Sequence, residues 1–338
     1  MIPHNKPSIG LEESAAIAEV IASGWIAPGE KVKQFEQAFA AYVGAKYAIA
    51  VNSGTAALFV AMKAIDMYGD ARIPTYACSA LVNAAYIAEL SPRLEDININ
   101  DFNAPYIDSY DDDSTVNFIV VHTFGVPKEI KRKYKHPYII EDCSQALGSY
   151  INGQHVGLQG DIGIFSFGPS KMITTGSGGM LVTNNKDLAD KARDYIDYDK
   201  HIPAFNFAMN DLQAAMGIEQ LKKLPEFLRK RREMARQYMG ICIRKRWGFQ
   251  HTIEANNNWY RFVLIGDFVD RLKQHLADNG ITAIVPIEQH ELLHNMLGMN
   301  PELFPNAEYI STHSLSLPIW PGLLDDGFEK IIEILRRF

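Results

Sequence analysis

Two periods of apolar and polar positions run along the chain. Helical spacing marks Leu11 to Ala22, Ala56 to Ile65 and a long amphipathic stretch from about Asn210 to Tyr238. Short apolar runs at Ala45 to Val51, Phe118 to Val121, Tyr138 to Ile140, Asp161 to Phe167 and Met180 to Thr183 read as buried strands between them. This interleaving predicts an α/β protein with a mostly parallel sheet between helices. Residues 1–240 are expected to form that large domain. Phe262 to Ile265, Phe268 to Asn279 and Gly327 to Arg336 suggest a smaller α+β domain over 241–338, with the N-terminal segment free to pack on it. Pro225 should kink or split the long helix, because it lacks the amide that the helix ladder needs.

Polar residues cluster at the ends of the apolar runs. His122 and Thr123 follow one, Glu141 and Asp142 another, and ligands of open α/β sheets bind beyond the carboxyl ends of strands. Ser53-Gly54-Thr55 stands between a strand and a helix, with Ser53 a natural N-cap. Lys171 lies in a Gly-, Ser- and Thr-rich turn between two β-like runs, and a lysine in apolar surroundings is seldom there without a task.

Bulk properties narrow the field. At 338 residues and 47% hydrophobic, the chain can bury a large core, and a net charge of −7 gives no basic footprint for nucleic acid. No apolar run approaches the roughly 20 residues that cross a bilayer, and no secretory signal opens the chain, so a soluble cytoplasmic protein without a membrane partner is expected. Cys78, Cys143 and Cys242 are scattered, which suggests neither a disulfide framework nor a zinc site. His290 and His294 are four apart without a third ligand, so they are read as surface helix residues and no metal is expected. The basic stretch Lys222 to Arg232 reads as a solvated helix face, with a pyrophosphate contact as the alternative.

A pyridoxal 5'-phosphate (PLP) site needs a lysine for the aldehyde, a carboxylate on the pyridine nitrogen, a phosphate cradle and cover for the ring faces. Lys171 and Asp142 are candidates for the first two, and Gln145, in the same turn as Asp142, can reach the phenolic oxygen. Gly54 and Thr55 present amides at a helix N-terminus, which favours a phosphate, and Ser166 can add a hydroxyl. Each has a plainer alternative: a cap or salt-bridge partner for Asp142, a surface amide for Gln145, an ordinary cap for the turn, a backbone-bonded strand serine for Ser166.

The motifs occur in a telling order: Gly24-Trp25-Ile26-Ala27-Pro28-Gly29, Asn52-Ser53-Gly54-Thr55-Ala56-Ala57-Leu58, Glu141-Asp142 with Gln145-Ala146-Leu147-Gly148, the Lys171 turn, Asn206, and Leu315-Ser316-Leu317-Pro318. Along almost its whole length the chain resembles the DegT/DnrJ/EryC1/StrS sugar aminotransferases, a fold type I PLP family. The resemblance implies that Lys171 binds the cofactor as an imine and shuttles the proton, that Asp142 and Gln145 hold the ring, and that Gly54, Thr55 and Ser166 hold the phosphate. It implies that Asn206 reaches the phosphate from a neighbouring subunit, hence a homodimer with active sites at the interface. The implied reaction moves an amino group from glutamate or glutamine, the amino-acid donor, to a nucleotide-linked keto-sugar. A keto-cyclitol or carbocycle as acceptor, a synthase-type reaction, and a nonenzymatic PLP- or sugar-binding regulator are the alternatives.

Three departures stand out. Cys78 occupies the place where many relatives stack an aromatic on the ring, so either Tyr76 stacks instead or the ring rests on sulfur. Ser177 replaces the glutamate of a Thr-Gly-Glu-Gly-Gly turn, and Phe207-Ala208 replaces Tyr-Arg after the asparagine.

Overall fold

Short strands that are apolar on every side need cover on both faces, and the fold supplies it. The computed structural model describes residues 1–105, 116–131, 138–197, 202–253 and 256–338. Helices Leu11–Ser23 (α1) and Glu30–Val43 (α2) precede strand Tyr47–Val51 (β1). Then follow Gly54–Ala64 (α3), Asp70–Pro74 (β2), Ala80–Ile87 (α4), Ser91–Glu95 (β3), Val116–Val121 (β4) and Ile139–Asp142 (β5). A small hairpin, Tyr150–Ile151 (β6) with Gln154–His155 (β7), leads to Ile162–Ser166 (β8), Gly179–Thr183 (β9), Lys186–Ile196 (α5) and Asp211–Lys245 (α6). The rest comprises Gly248–Phe249 (β10), Phe262–Ile265 (β11), Val269–Asp278 (α7), Leu293–Met296 (α8), Pro305–His313 (α9), Ser314–Leu317 (β12), Leu323–Asp326 (α10) and Phe328–Arg337 (α11).

The main sheet has seven strands in the order β1-β9-β8-β5-β4-β2-β3. Neighbours from β8 to β3 run parallel, and β9 is antiparallel to both β8 and β1. Strand residues alternate between two cores: Ile49 and Val51 join α3 and α4, whereas Ala48 and Ala50 join Phe35, Phe39, Phe165 and Phe167 beneath α2 and the first half of α6. Helix α3 is buried along nearly its whole length, and Ser53 caps it by accepting from Ala56 N at 3.1 Å.

This topology gathers the polar residues at one edge. The carboxyl ends of β1, β2, β4, β5 and β8 share that edge with the amino end of the reversed strand β9, so Ser53, Thr75, Asp142, Ser166 and Gly178 lie along one rim. Val51 and Ser166 both pair with Gly179, which brings the Ser53 turn beside the end of β8.

A second, three-stranded antiparallel sheet, β10-β11-β12, forms its own core with the end of α6, α7 and α11 around Tyr238, Trp259, Phe262 and Phe328. Ile2 bridges Ile281 here, so the chain start lies on this unit. Helix α6 passes without a break through Pro225 and through residue 240. A mid-helix proline costs about 3 kcal/mol, but Leu221, Leu224, Phe227 and Leu228 are all buried around it, and that packing holds the helix continuous, so of the expected kink or split the split does not occur. No helix of the described residues is long and apolar enough to cross a membrane.

Candidate active site

The rim encloses a cavity of about 260 Å³. Its lining includes Gly54, Thr55, Cys78, Asp142, Gln145, Ser166 and Lys171, all singled out from sequence, together with Tyr76 and Ser177. Asn206 is the exception. Its side chain is exposed and outside the cavity, although its carbonyl is tied to Asn52 Nδ2 at 2.9 Å, next to the Ser53 turn.

Local geometry fixes what each group offers. Asp142 ends β5 and is buried; its Oδ1 accepts from Ser144 N at 2.9 Å, which leaves Oδ2 for a ligand. Gln145 Oε1 accepts the Phe124 amide at 2.8 Å, so the Gln145 NH₂ group is the side it can present as a donor. The first amides of α3 have no helical carbonyl to meet, and they open onto the cavity beside the Ser166 hydroxyl. Space there is tight: a Cβ on Gly54 would lie 2.7 Å from Ser166 Cβ and 2.9 Å from its Oγ. Glycine therefore lets the backbone and the hydroxyl converge, as an oxyanion cradle requires. Lys171 Nζ lies 5.8 Å from the Tyr260 ring centroid, and among the described residues no carboxylate is within ion-pair distance of it. Tyr76 is fully buried and packs between Phe102 and Phe124, whereas Cys78 is exposed at the cavity.

These residues fit PLP: an acceptor for a pyridinium proton, a donor for a phenolic oxygen, a cradle that a Cβ would fill, and an unpaired lysine amine converge on one cavity.

Beneath Asp142 lies a clamp. Glu141 is fully buried and accepts from His122 Nε2 (3.1 Å), Gly157 N (2.9 Å), Gln159 N (2.6 Å) and Gly160 N (2.7 Å). Burial alone would raise its pKa, but the bonds to His122, Gly160 and Gly157 outweigh it and hold the carboxyl below its ordinary value. His122 Nδ1 accepts from Lys128 N, so its proton sits on Nε2, and the ring has no nitrogen left for the cavity. The buried grouping of His122, Glu141 and Cys143 has the compactness of a metal site, yet both His122 nitrogens and both Glu141 oxygens are already engaged in these bonds.

Some expectations change. His294 is buried rather than on the surface, with Nδ1 2.6 Å from Thr75 Oγ1 and Nε2 2.8 Å from Glu308 Oε1; His290 alone is exposed. The basic face of α6 is solvated at Lys222 and Arg229, which pair with nearby glutamates, but Arg231 is buried and gives Nη1 to the carbonyls of Trp259, Tyr260 and Ile319. Ser177 and Ala208 adjoin: Ser177 Oγ donates to Asn52 O at 2.8 Å and Ala208 bridges Val51, so the departures that remove an acid and a base fall on one stretch of backbone.

Sequence reasoning missed Asn258, Tyr260 and Arg261. Asn258 Nδ2 donates to the carbonyls of Gln145 and Leu147, locking the Gln145 turn to the second unit. Gly125 makes room for it, since a Cβ there would sit 1.8 Å from Asn258 Oδ1. A run of asparagines before an apolar strand was the only signal.

Residues 7–336 match the model of the DegT/DnrJ/EryC1/StrS aminotransferase family. The chain is 31% identical to the spore coat polysaccharide biosynthesis protein SpsC of Bacillus subtilis, covering 99% of this chain and 96% of that protein. Its fold is similar to the aminotransferase TlmJ of Streptoalloteichus hindustanus, with a TM-score of 0.88, 25% identity and coverage of 100% and 98%. It is also similar to a GDP-4-keto-6-deoxymannose-3-dehydratase solved with a trapped PLP-glutamate geminal diamine, with a TM-score of 0.88, 24% identity and coverage of 99% and 100%. With a family match over nearly its full length and a curated relative of almost the same extent, the chain belongs to the DegT/DnrJ/EryC1/StrS aminotransferase family of PLP-dependent enzymes.

Proposed function

We propose that the protein moves the amino group of glutamate or glutamine onto a keto-sugar carried on a nucleotide, using PLP. The observation that carries this is the convergence of Lys171, Asp142, Gln145, Ser166 and the α3 N-terminus on one cavity. When bound, PLP supplies an electron sink for breaking and making bonds at the amine-bearing carbon. Asp142 Oδ2 would accept a hydrogen bond from the protonated ring nitrogen and keep that nitrogen cationic, while the Gln145 NH₂ group would donate to the phenolic oxygen. The Gly54 and Thr55 amides and the Ser166 hydroxyl hold the phosphate. Lys171 Nζ is the covalent anchor and, once released, carries the proton between the carbon that loses the amino group and the carbon that gains it.

Cys78, exposed at the cavity, would be the side chain available to cover a bound ring, because the neighbours of Tyr76 tie it into the core. The exposed Asn206 completes the phosphate site of a second copy, which makes the working unit a homodimer. A cavity of about 260 Å³ falls below the roughly 300–1,000 Å³ typical of drug-sized ligands, so it suits the cofactor and reacting sugar carbon and leaves a nucleotide outside. A carbohydrate acceptor agrees with the polysaccharide-biosynthesis name of the relative SpsC, and a glutamate donor with the glutamate adduct in the dehydratase structure.

The test is product analysis. The PLP-loaded protein is incubated with glutamate and a panel of nucleotide-linked keto-sugars, and the mixture is read by mass spectrometry. An amino-sugar nucleotide formed together with 2-oxoglutarate supports the proposal; a deoxygenated sugar, or no product with any acceptor, overturns it.

A further inference from the structure

A lysine carries its amine on a flexible four-carbon stem. A lysine that must bond a cofactor, release it and meet it again gains from a fixed place to rest in between, because reaction needs the amine already close and aligned. Lys171 is half-buried, and among the described residues no carboxylate lies within ion-pair distance of it. It meets an aromatic face instead. Nζ lies 5.8 Å from the centroid of the Tyr260 ring, inside the roughly 6 Å over which a ring attracts an ammonium.

That ring is held on several sides. Tyr260 is buried just ahead of β11; its amide donates to Asn258 Oδ1 at 2.8 Å, and its carbonyl accepts from Arg231 Nη1 at 3.2 Å. Asn258 is itself tied to the carbonyls of Gln145 and Leu147, so the ring is fixed relative to the Gln145 turn. The Arg261 guanidinium lies 5.8 Å from the same ring and 5.5 Å from that of Phe124. These charges register on the phenol. Burial favours its neutral form, yet Lys171 first, then Arg261, a hydrogen bond from Ser170 and Arg231 bring it below its ordinary pKa.

The backbone of the lysine turn is held as well. Lys171 N donates to Gly168 O at 3.1 Å, and Ser170 O accepts from Asn5 Nδ2 at 3.2 Å. Ser170 therefore joins the two: its backbone precedes the lysine and its hydroxyl bonds the tyrosine. With turn and ring both fixed, rotation of the lysine stem is the freedom that the ring limits. Lys171 lines the cavity and Tyr260 stands outside that lining, so the seat lies beside the space a cofactor fills rather than within it.

We infer that the Tyr260 ring is the resting seat of the Lys171 amine whenever the lysine is not bonded to the cofactor, which makes Tyr260 a positioning residue for Lys171. The inference rests on the reading of Lys171 as the cofactor's anchor and adds the residue that keeps the amine within reach.

The test compares wild type with Tyr260→Phe, which keeps the ring face, and Tyr260→Leu, which removes it. In the cofactor-free proteins, acetic anhydride labels lysines at a fixed pH, and peptide mass spectrometry compares Lys171 with the exposed Lys46. Without the ring, Lys171 should label about 2–5-fold faster, the worth of a cation–π contact, while the phenylalanine variant stays close to wild type. On mixing with PLP, the Lys171-dependent visible band should form at least about 10-fold more slowly in Tyr260→Leu and within about twofold of wild type in Tyr260→Phe. Pyridoxamine phosphate, which cannot bond the lysine, should bind all three within about twofold. Opposite changes in the two rates mark a lost seat: an amine that is merely freer speeds both, and a collapsed site slows both. Where the leucine variant is unfolded, Tyr260→Met carries the same comparison. Rates that stay unchanged or move together in the ringless variant, a phenylalanine variant that matches it, or a parallel loss of pyridoxamine phosphate binding overturns the inference. If wild type forms no band that needs Lys171 while the labelling pattern holds, the anchor reading fails and the seat stands.

Discussion

Glu141→Gln isolates the clamp beneath Asp142. Each carboxylate oxygen of Glu141 takes two donors: Oε1 the amides of Gln159 and Gly160, Oε2 the Gly157 amide and His122 Nε2. An amide NH₂ cannot accept, so either orientation of the glutamine turns it toward two donors. Moving the His122 proton to Nδ1 offers no escape, because Nδ1 is needed by Lys128 N. At about 1–3 kcal/mol for each buried donor left unsatisfied, the expected loss for two is about 2–6 kcal/mol, a large share of the roughly 5–15 kcal/mol that holds a domain together. The assay is urea unfolding of the cofactor-free protein, followed by circular dichroism from neutral pH to pH 3. The pH dependence has a definite sign. The folded pKa of Glu141 lies below its ordinary 4.5, so its contribution is fully present above 4.5 and is lost as pH falls through the folded value. The gap between wild type and variant should therefore be widest near pH 7 and narrow in acid. A gap under about 0.5 kcal/mol at pH 7, the size of an ordinary surface change, or one that persists unchanged in acid, would refute the clamp.

Two further outcomes concern the cofactor shell. Gly54→Ala should weaken PLP binding at least about 10-fold, because its Cβ would overlap Ser166. Gly168→Ala, whose Cβ would meet only Lys171 Cγ at 3.8 Å and Ser166 Oγ at 3.9 Å, should bind within about twofold of wild type in the same equilibrium dialysis. Asp142→Asn keeps the Oδ1 bond to Ser144 but cannot hold the ring nitrogen's proton; turnover should fall about 100-fold or more with cofactor still bound, and a loss under about fivefold would contradict that role.

The sequence made local features legible. Ser53 was recognisable as a cap because the cap, the helix it starts and the strand before it are contiguous, and Asp142 because it ends an apolar run. The parallel sheet followed from the same runs. Contacts made across hundreds of residues were hidden. Arg231 looked like one more charge on a solvated helix, since only the fold brings the carbonyls of Trp259, Tyr260 and Ile319 to it. His294 looked exposed until Thr75, on another element, closed over it. Pro225 was expected to kink or split α6 by local rules, but core packing on both sides of it keeps the helix from splitting. Tyr260 and Arg261 carried no motif at all, because their significance lies in which cations and rings surround them.

The most direct measurement of the central claim is the visible absorbance of the protein with PLP, before and after glutamate, in wild type and Lys171→Ala. The expected result is a band that requires Lys171 and that glutamate converts to the pyridoxamine form. A band that survives Lys171→Ala, or one in wild type that glutamate leaves unchanged, would contradict the roles assigned to Lys171 and to the donor.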